Sequence, residues 1–545
     1  MAKTSACFLL FLTIFCHSIS AQEHRYVVHF ADKENNQYSI DRPLEFLSQN
    51  AIDRRQRQGI AITTQDLPVT SGYVQTLTTQ GAEVLFTSRW FNAALIILNQ
   101  NEVTNIEDLN FVNKVELVAP ASAFSSREKT HKKFDLEFDD ESVNMEATDF
   151  QNQMLGVDQM HQEGFRGEGM LIVVVDGGFT AADELPYFEH LFNENRVLDV
   201  YNFVEQNQDV YKRSTHGTRV LACIGASFPQ QITGTAPGAN FALFISEDVG
   251  SEYRIEEYNW VFAAERADSL GADVINTSLG YNQFDDPSMD YAKSDIDGQT
   301  AVISRAANIA AEKGMVIVNS AGNSGNNAWQ IITPPADAEH VLSVGSVTTN
   351  FLRSSFSSLG PTADGRIKPD VMALGSGTVV GVDVSTGGIV SSNGTSFSSP
   401  LVAGLSAGLW QAFPGLTSFE VMQVLKESAD NAATPNNEFG YGIPNFTRAQ
   451  EIADELQSNI KLDLKAFPNP VLQSQLTLSS NDVNLSGRME YTIYNPLGQL
   501  IATGDRLIGR MSQQVDIPFE RIPPGIYFLN VTINDQAQSL RVLKY

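Results

Sequence analysis

The fold is decided by a series of apolar segments in the middle of the chain. They read MLIVVVD (170–176), FALFIS (241–246), DVINTSLG (273–280), MVIVNSAGN (315–323) and VLSVGSV (341–347). The runs are nearly continuous rather than alternating, which is typical of strands buried on both faces of a parallel sheet. Helical patterns separate them, namely EEYNWVFAAERADSLG (256–271) and AVISRAANIAAEKG (301–314). This pattern predicts a doubly wound α/β domain with a mostly parallel sheet, whose active site lies at the carboxyl ends of the strands.

Further units are predicted on both sides of this domain, which we place at residues 146–456. Residues 22–145 mix strand and helix patterns and end in a charged stretch without apolar periodicity, so they predict an α+β unit followed by a linker. Residues 465–545 hold short strands separated by Gly, Pro and Asn turns, which predicts a small all-β sandwich. The prolines of AFPNP (466–470) mark where this last unit starts.

The chain carries the signs of an exported acidic protein. In residues 1–21, Lys3 precedes the apolar run CFLLFLTIFC (7–16), which is too short to cross a bilayer and predicts a signal peptide. No other run approaches membrane-spanning length, so we expect no transmembrane helix in the mature protein. Of three cysteines only Cys223 would remain after export, which excludes an internal disulfide. The formal charge of −28 repels phosphate backbones and argues against nucleic-acid binding.

Four polar residues stand where strands end or helices start. Asp176 ends an apolar strand before two glycines, and Asn323 lies in a glycine turn just after another strand. His216 lies in STHGTRVLACIGA (214–226), where Ser214 or Thr215 can cap a helix. Ser396 precedes a small-residue helix pattern, and we place Pro400 in its first turn. Singly, each has an ordinary structural explanation: a strand-ending Asp, a capped helix, a serine-rich cap and an Asn turn.

The order of these residues along the chain favours one hydrolase class over another. An α/β-hydrolase needs its histidine after the nucleophile, but no histidine follows His340. The segment GTSFS (394–398) also lacks the second glycine of the nucleophile elbow of that class. Asp, His, Asn and Ser in this order on a parallel sheet is the order of subtilisin.

At these motifs the sequence resembles the subtilase family over roughly residues 150–450. VVVDGGF (173–179), THGTRV (215–220) and NGTSFSSP (393–400) resemble the signatures around its Asp, His and Ser. SAGNSG (320–325) resembles the oxyanion segment, and KPDVMALG (368–375) resembles the run shortly before the serine. The resemblance implies a subtilisin-like fold and a serine-type endopeptidase that needs no cofactor for its chemistry.

The resemblance also assigns roles to residues of this chain. It implies a catalytic triad of Asp176, His216 and Ser396 acting through an acyl-enzyme, with Asn323 as an oxyanion donor. Ser278, Leu279 and Gly280 correspond to the strand that pairs with the substrate backbone and walls the main specificity pocket. The sequence departs from the family at Gly177, Arg219, Phe397 and Ser398, where a Ser or Thr, a second His, a Met and an Ala are usual. None of these departures removes a catalytic atom, which argues against a binding protein built on an inactive scaffold.

The flanking units resemble neighbours of subtilases. Residues 22 to about 130, with AIDRRQRQGI (51–60) and SRWFNA (88–93), look like the propeptides of Bacteroidetes subtilases. Such propeptides help the enzyme to fold and inhibit it until they are cleaved off. The tail, with FPNP (467–470) and PPGIYFLNV (523–531), resembles the sorting domain of the type IX (Por) secretion system. These matches imply a protein secreted or placed on the surface of a Gram-negative cell through the periplasm, with outer-membrane type IX machinery as partner. A carbohydrate-binding accessory sandwich is the alternative for the tail.

The sequence leaves metal binding open. Subtilases often hold a structural calcium ion, and FDDPSMDYAKSDIDG (284–298) collects carboxylates. Read as an EF-hand from Asp295, this loop would need Glu at position 306, which is Ala306. We therefore favour a solvated loop, and metal ligands stay unassigned. Cys223 lies on the same helix face as His216 and is interpreted as a packing residue.

Overall fold

The computed structural model describes residues 23–124, 148–228, 230–383, 386, 388–458, 464–472, 474–480, 487–508, 514–533 and 536–545. The predicted signal peptide (1–21) and residues 125–147 of the predicted linker lie outside these ranges. Within them, no helix combines the length and the apolar character needed to cross a membrane.

The N-terminal unit, residues 23–124, is an antiparallel sheet with helices. Its elements are β1 (Glu23–Phe30), α1 (Gln49–Arg57), α2 (Ser71–Thr79), β2 (Glu83–Ser88), β3 (Ala93–Asn99), α3 (Val103–Glu107) and β4 (Val112–Ala119). The strands are ordered β2-β3-β1-β4, as expected for the α+β prediction. Val28 and Ile96 pack in the unit's own core, whereas their neighbours Val27 and Leu95 face the central domain. Because successive side chains of a strand point to opposite faces, both faces of this sheet are buried.

The central domain follows. Its strands are β5 (Leu171–Asp176), β6 (Val197–Asn202), β7 (Ser227–Phe228), β8 (Ile232–Thr233), β9 (Asn240–Ile245), β10 (Val274–Thr277), β11 (Val316–Ser320), β12 (Leu342–Val347), β13 (Val371–Leu374), β14 (Thr378–Val382) and β15 (Ile389–Ser392). Its helices are α4 (Asp149–Met154), α5 (Val157–Gln162), α6 (Glu189–Asn193), α7 (His216–Gly225), α8 (Ile255–Leu270), α9 (Val302–Glu312), α10 (Thr395–Ala412), α11 (Ser418–Glu427) and α12 (Phe446–Ser458). Short 3-10 helices lie at Pro43–Glu45, Thr64–Asp66, Gln100–Glu102, Ala121–Phe124, Pro186–Phe188, Pro287–Met289 and Lys293–Asp295.

A parallel sheet forms the centre of this domain, which confirms the predicted fold class. Among the described residues its strands are ordered β6-β9-β5-β10-β11-β12-β13, and every neighbouring pair is parallel. Strands β6 and β9 lie on one side of β5, and the later strands β10 to β13 lie on its other side. The direction in which strands are added to the sheet therefore reverses between β5 and β10. The crevice at such a reversal is where open α/β sheets bind ligands. Asp176 ends β5 and Ser278 follows β10 at this crevice.

Both faces of the sheet are covered, which explains the continuous apolar runs. On β5, Ile172 and Val174 pack in the core that includes residues of α7 and α10. Val173 and Val175 pack on the opposite face with residues of α8 and α9. A strand buried on both faces needs an apolar side chain at every position.

The N-terminal unit is joined to α8 by a buried charge cluster. Asp268 on α8 is fully buried and accepts from the guanidinium groups of Arg54, Arg55 at 2.8 Å and Arg89 at 2.6 Å. Burial alone would raise the pKa of Asp268, but these three guanidinium groups hold it well below its usual range. The Asp268 carboxylate is therefore ionised and paired across the interface.

The C-terminal unit is a two-sheet antiparallel sandwich with a separate core. Its strands are β16 (Leu464–Phe467), β17 (Gln475–Ser480), β18 (Gly487–Tyr494), β19 (Leu500–Ile508), β20 (Gln514–Pro518), β21 (Gly525–Ile533) and β22 (Gln536–Lys544). The described strands are ordered β16-β17-β20 and β19-β18-β21-β22. Leu476, Leu478, Leu529 and Val531 lie between the two sheets and are buried. The predicted all-β architecture is confirmed.

Some elements differ from the sequence-based expectation. The β14–β15 hairpin, β16 and β20 were not expected, because each is a run of four or five residues whose pairing comes from distant or edge strands. Short apolar runs of this kind carry little periodic signal. The last helix of the central domain, α12, extends to Ser458, two residues beyond the predicted end of that domain at residue 456.

Candidate active site

Asp176 is the last residue of β5 and is fully buried. The backbone N–H of Gly177 donates to its Oδ1 at 2.7 Å. Its side chain then faces the start of α7, where Gly217 allows a close approach: a Cβ there would lie 2.9 Å from the Cβ of Asp176. The carboxylate is therefore held at the sheet edge against the helix that carries His216.

His216 is the first residue of α7 and pairs with this carboxylate. Its Nδ1 lies 2.9 Å from both Oδ1 and Oδ2 of Asp176, and the imidazole is buried. Ser214 Oγ accepts from the His216 backbone N–H at 3.0 Å, so Ser214, rather than Thr215, supplies the capping oxygen. Because a carboxylate can only accept, the proton of a neutral imidazole lies on Nδ1 and leaves Nε2 as the basic nitrogen.

Ser396 lies in the first turn of α10, the turn that packs against the imidazole. Its neighbour Phe397 packs against His216 with ring centroids 5.7 Å apart. Ser396 Oγ donates to the carbonyl of Ser278 at 3.4 Å, which places the hydroxyl at the crevice beside β10. The first backbone N–H groups of a helix have no acceptor one turn earlier within it. Those of Thr395 and Phe397 donate to Asn323 Oδ1 and to the Gly394 carbonyl, so the Ser396 N–H between them is the group that this helix start offers to an anion.

Pro400 is not in the first turn of this helix, contrary to the expectation from sequence. The helix begins at Thr395, which places Pro400 inside it. Since proline has no N–H, the Ser396 carbonyl loses its helical donor. Ser278 Oγ donates to that carbonyl at 2.8 Å instead. A side-chain hydroxyl from the strand end therefore replaces the missing helical bond and ties β10 to the turn that carries Ser396.

This tie extends through two further buried side chains that sequence reasoning missed. Ser399 Oγ donates to Asn276 Oδ1 at 2.9 Å, and Asn276 Nδ2 lies 3.4 Å from Ser278 Oγ. A polar Asn inside the apolar run DVINTSLG was the signal available in the sequence, because a buried amide needs partners.

Asn323 is exposed at the mouth of the crevice, and its amide orientation is set by Thr395. The Thr395 backbone N–H and hydroxyl both donate to Asn323 Oδ1 at 2.9 Å. The Nδ2 group is then turned toward Gly394, 3.7 Å from where a Cβ would stand on that glycine. Thr395 was also missed from the sequence, although it precedes Ser396 directly.

Ser278, Leu279 and Gly280 follow β10 at the same edge of the sheet. Ser278 and Leu279 are nearly buried, and the Leu279 carbonyl accepts from Asn319 Nδ2 at 3.2 Å. The structure thus brings Ser278 against Ser396 and Leu279 beside the strand end that precedes Asn323, while Gly280 faces the Thr333 side chain.

Other chemistry-bearing groups lie away from this constellation. Burial raises the pKa of the Cys223 thiol, so it is a neutral thiol in the core. In the 284–298 loop, Asp290 accepts from the Phe284 N–H and Asp295 from the Ala292 N–H, whereas Asp285 accepts from the Glu252 N–H outside the loop. Within the described residues, Glu247, Glu252 and Glu256 are close enough together to hold a cation.

Comparison with known proteins places this geometry in a family. Residues 140–442, more than half of the chain, match the profile of the Subtilase family. The chain belongs to the subtilase family. Members of that family are serine-type endopeptidases, and the relatives of this chain include proteins named as a serine protease and as a subtilisin.

The subtilase relatives cover about half of this chain. Serine protease AprX of Bacillus subtilis (strain 168) is 30% identical over 312 residues, which are 51% of this chain and 65% of AprX. Subtilisin DY of Bacillus licheniformis is 29% identical over 300 residues, which are 55% of this chain and 97% of that protein. The crystal structure of MycP1 from the ESX-1 type VII secretion system matches with a TM-score of 0.44 at 23% identity, covering 57% of this chain and 87% of MycP1.

The units beside the subtilase domain match profiles too. Residues 25–134 match the Peptidase S8 propeptide domain of Bacteroidota, and residues 465–544 match the Secretion system C-terminal sorting domain. Together these matches indicate a secreted or cell-surface protein of a Bacteroidota bacterium.

Proposed function

We propose that this chain is a secreted endopeptidase that cleaves proteins through a Ser396, His216 and Asp176 triad. The observation that carries the proposal is the buried Asp176–His216 pair, whose imidazole packs against the helix turn of Ser396. Family membership supports the reaction class, and the polar residues of the four motifs supply the groups it needs.

The steps follow from the positions of these groups. His216 Nε2 takes the proton of Ser396 Oγ as that oxygen attacks the peptide carbonyl carbon, and Asp176 stabilises the imidazolium that forms. Asn323 Nδ2 and the Ser396 backbone N–H donate to the oxygen that becomes negative. His216 then protonates the leaving amine, which gives an acyl-enzyme that water hydrolyses by the same steps in reverse. No step of this reaction needs a cofactor.

Labelling with a fluorophosphonate tests the assignment directly. The purified enzyme is expected to react at one serine, and mass spectrometry of its peptides should locate the adduct on Ser396. An adduct on any other serine, together with casein hydrolysis, would assign the nucleophile elsewhere.

Asn323→Ala is expected to lower kcat by about 10²–10³ with little change in KM, the cost measured for the equivalent loss of one oxyanion donor in the related enzyme subtilisin. The reason is that Nδ2 meets a charge that exists only in the transition state. Steady-state kinetics on a peptide anilide measures both constants. Asn326→Ala, an exposed Asn of the same loop, is the matched control and should leave both constants unchanged. A change confined to KM would instead give Asn323 a binding role.

We further propose that residues 465–545 direct export through the outer-membrane type IX machinery after the signal peptide has led the chain into the periplasm. The support is that this unit has its own core and contains neither His nor Cys, so it has no evident chemistry to perform. Its match to a secretion sorting domain favours an address over an accessory binding module.

Deleting residues 465–545 is expected to leave peptidase activity unchanged and to hold the enzyme in the periplasm. The two cores are separate, so the subtilase domain should fold without the tail. Cell fractionation in a Bacteroidota host with a working type IX system measures the distribution. A periplasmic fluorescent protein fused to residues 465–545 should reach the surface or the medium, whereas the same protein without them should not. Normal extracellular appearance of the truncated enzyme would favour the carbohydrate-binding alternative.

A further inference from the structure

Asn276 is a polar residue in the middle of the buried strand β10. Its neighbours in the sheet are Val174 on β5 and Val318 on β11, and all three residues are fully buried. Val274, two positions earlier on the same strand, packs in the core that includes α10, so Asn276 lies on the face of the sheet that α10 covers. An amide in such surroundings is costly unless both of its ends find partners.

The two ends of this amide have different partners, and both partners lie beside the nucleophile. The Ser399 hydroxyl donates to Asn276 Oδ1 at 2.9 Å, and Ser399 follows Ser396 by about one turn of α10. Because Oδ1 is the acceptor, the donor end of the amide, Nδ2, faces the Ser278 hydroxyl at 3.4 Å. The orientation of the amide is therefore fixed by the same helix that carries Ser396.

A hydroxyl that accepts from Asn276 has its own proton left to donate, and Ser278 donates it to Ser396. Ser278 Oγ bonds to the Ser396 carbonyl at 2.8 Å, in place of the helical bond that Pro400 cannot make. In return, Ser396 Oγ donates to the Ser278 carbonyl at 3.4 Å. Ser278 thus holds both the carbonyl and the hydroxyl of Ser396, while Asn276 sets the direction of the Ser278 proton.

We propose that Asn276 is a positioning residue for the nucleophile: its Nδ2 group directs the Ser278 hydroxyl to the Ser396 carbonyl and so fixes the place of Ser396 Oγ beside His216. This inference rests on the proposed peptidase function. Asn276 is fully buried beneath α10, so it acts through Ser278 and not by contact with substrate. Misplacing a reacting group by about 1 Å can cost about 100-fold in rate. The effect of Asn276 therefore belongs to kcat rather than to KM.

The test measures kcat and KM on a peptide anilide for enzymes matured from the full-length chain, with active sites counted by the endpoint of fluorophosphonate labelling. Asn276→Leu has a similar volume and no polar group, so it suits the apolar surroundings while removing both hydrogen bonds of the amide. It is expected to lower kcat by about 10-fold to 100-fold and to leave KM within about 3-fold. Asn276→Ala adds no branched side chain beneath the helix and should divide its effect between the two constants in the same way.

Asn308→Leu is the matched control. Asn308 is also nearly buried, and its amide also donates and accepts, to the Gly298 carbonyl and from the His340 N–H. It lies on α9, which covers the opposite face of the sheet, and shares no partner with Asn276. Its loss should therefore leave kcat of the labelled enzyme within about 2-fold.

A double-mutant cycle with Ser278→Ala shows whether Asn276 acts through Ser278. If it does, Asn276→Leu has no hydroxyl to direct in the Ser278→Ala enzyme and lowers kcat there by less than about 3-fold. Losses that multiply, a change confined to KM, or an unchanged kcat in both the Leu and the Ala variants would overturn the role of Asn276. Hydrolysis retained by Ser396→Ala would instead overturn the proposed function, because Asn276 would then have no nucleophile to position.

Discussion

Ser396→Ala is expected to lower the rate of peptide hydrolysis by about 10⁶-fold, the size of loss seen when the nucleophile of subtilisin is removed. The variant loses only the hydroxyl group, and the remaining oxyanion donors can then assist only the slow direct attack of water on the peptide carbonyl. The variant should also fail to react with a fluorophosphonate. Kinetics on a peptide anilide, with active-site labelling, measures both effects.

Ser406→Ala provides the matched control for this variant. Ser406 is buried on the same helix, and its hydroxyl donates only to the Val402 carbonyl one turn earlier. Its loss should therefore leave the rate within about 2-fold, because surface and intrahelical hydroxyl losses act on stability more than on chemistry. Activity retained by Ser396→Ala, or lost equally by Ser406→Ala, would remove Ser396 from the role of nucleophile.

Asp268→Ala is expected to raise the inhibition constant of the N-terminal unit by a factor of about 10²–10³. The variant leaves three guanidinium groups, those of Arg54, Arg55 and Arg89, without their shared carboxylate in the complex. Breaking a buried charge pair on one side costs about 3–5 kcal/mol, and each 1.4 kcal/mol changes a binding constant tenfold. The measurement is the inhibition constant of a peptide spanning residues 22–145, added to the mature wild-type and variant enzymes.

A control on the same domain distinguishes this cluster from general effects of charge. Asp364 forms an exposed ion pair with Arg366 within its own loop, so Asp364→Ala should leave the inhibition constant within about 3-fold. Asp268→Ala should also give less active enzyme from the full-length chain if the N-terminal unit assists folding. An unchanged inhibition constant, with normal yield, would contradict the assignment of residues 22–145 as an inhibitory propeptide.

The same cluster shows how much of this interface could be predicted from the sequence. The motif AIDRRQRQGI resembles propeptides, but the position of its arginines against Asp268 depends on how two separately folded surfaces meet. Arg89 comes from the turn between β2 and β3 and Asp268 from the end of α8, so no local pattern relates them. Only the packed structure brings four charges into one buried cluster, where their energies become large.

The candidate triad could be predicted from the sequence for a different reason. Asp176, His216 and Ser396 each lie at the end of a strand or the start of a helix, and the apolar runs that predict those elements also predict where they end. A parallel sheet gathers strand ends at one edge, which makes a common site physically reasonable. The roles of these residues came from the resemblance of their motifs to the subtilase signatures.

What the sequence by itself determined is therefore the layered α/β fold, its two flanking units and the positions of the polar residues at the sheet edge. These follow from local periodicity and from turn residues, which act over a few positions. Only the tertiary structure decided that Thr395 orients the Asn323 amide and that Ser278 replaces the bond removed by Pro400. Each of these contacts joins side chains from segments far apart in the chain, and the distance between such side chains is set by packing rather than by spacing in the sequence.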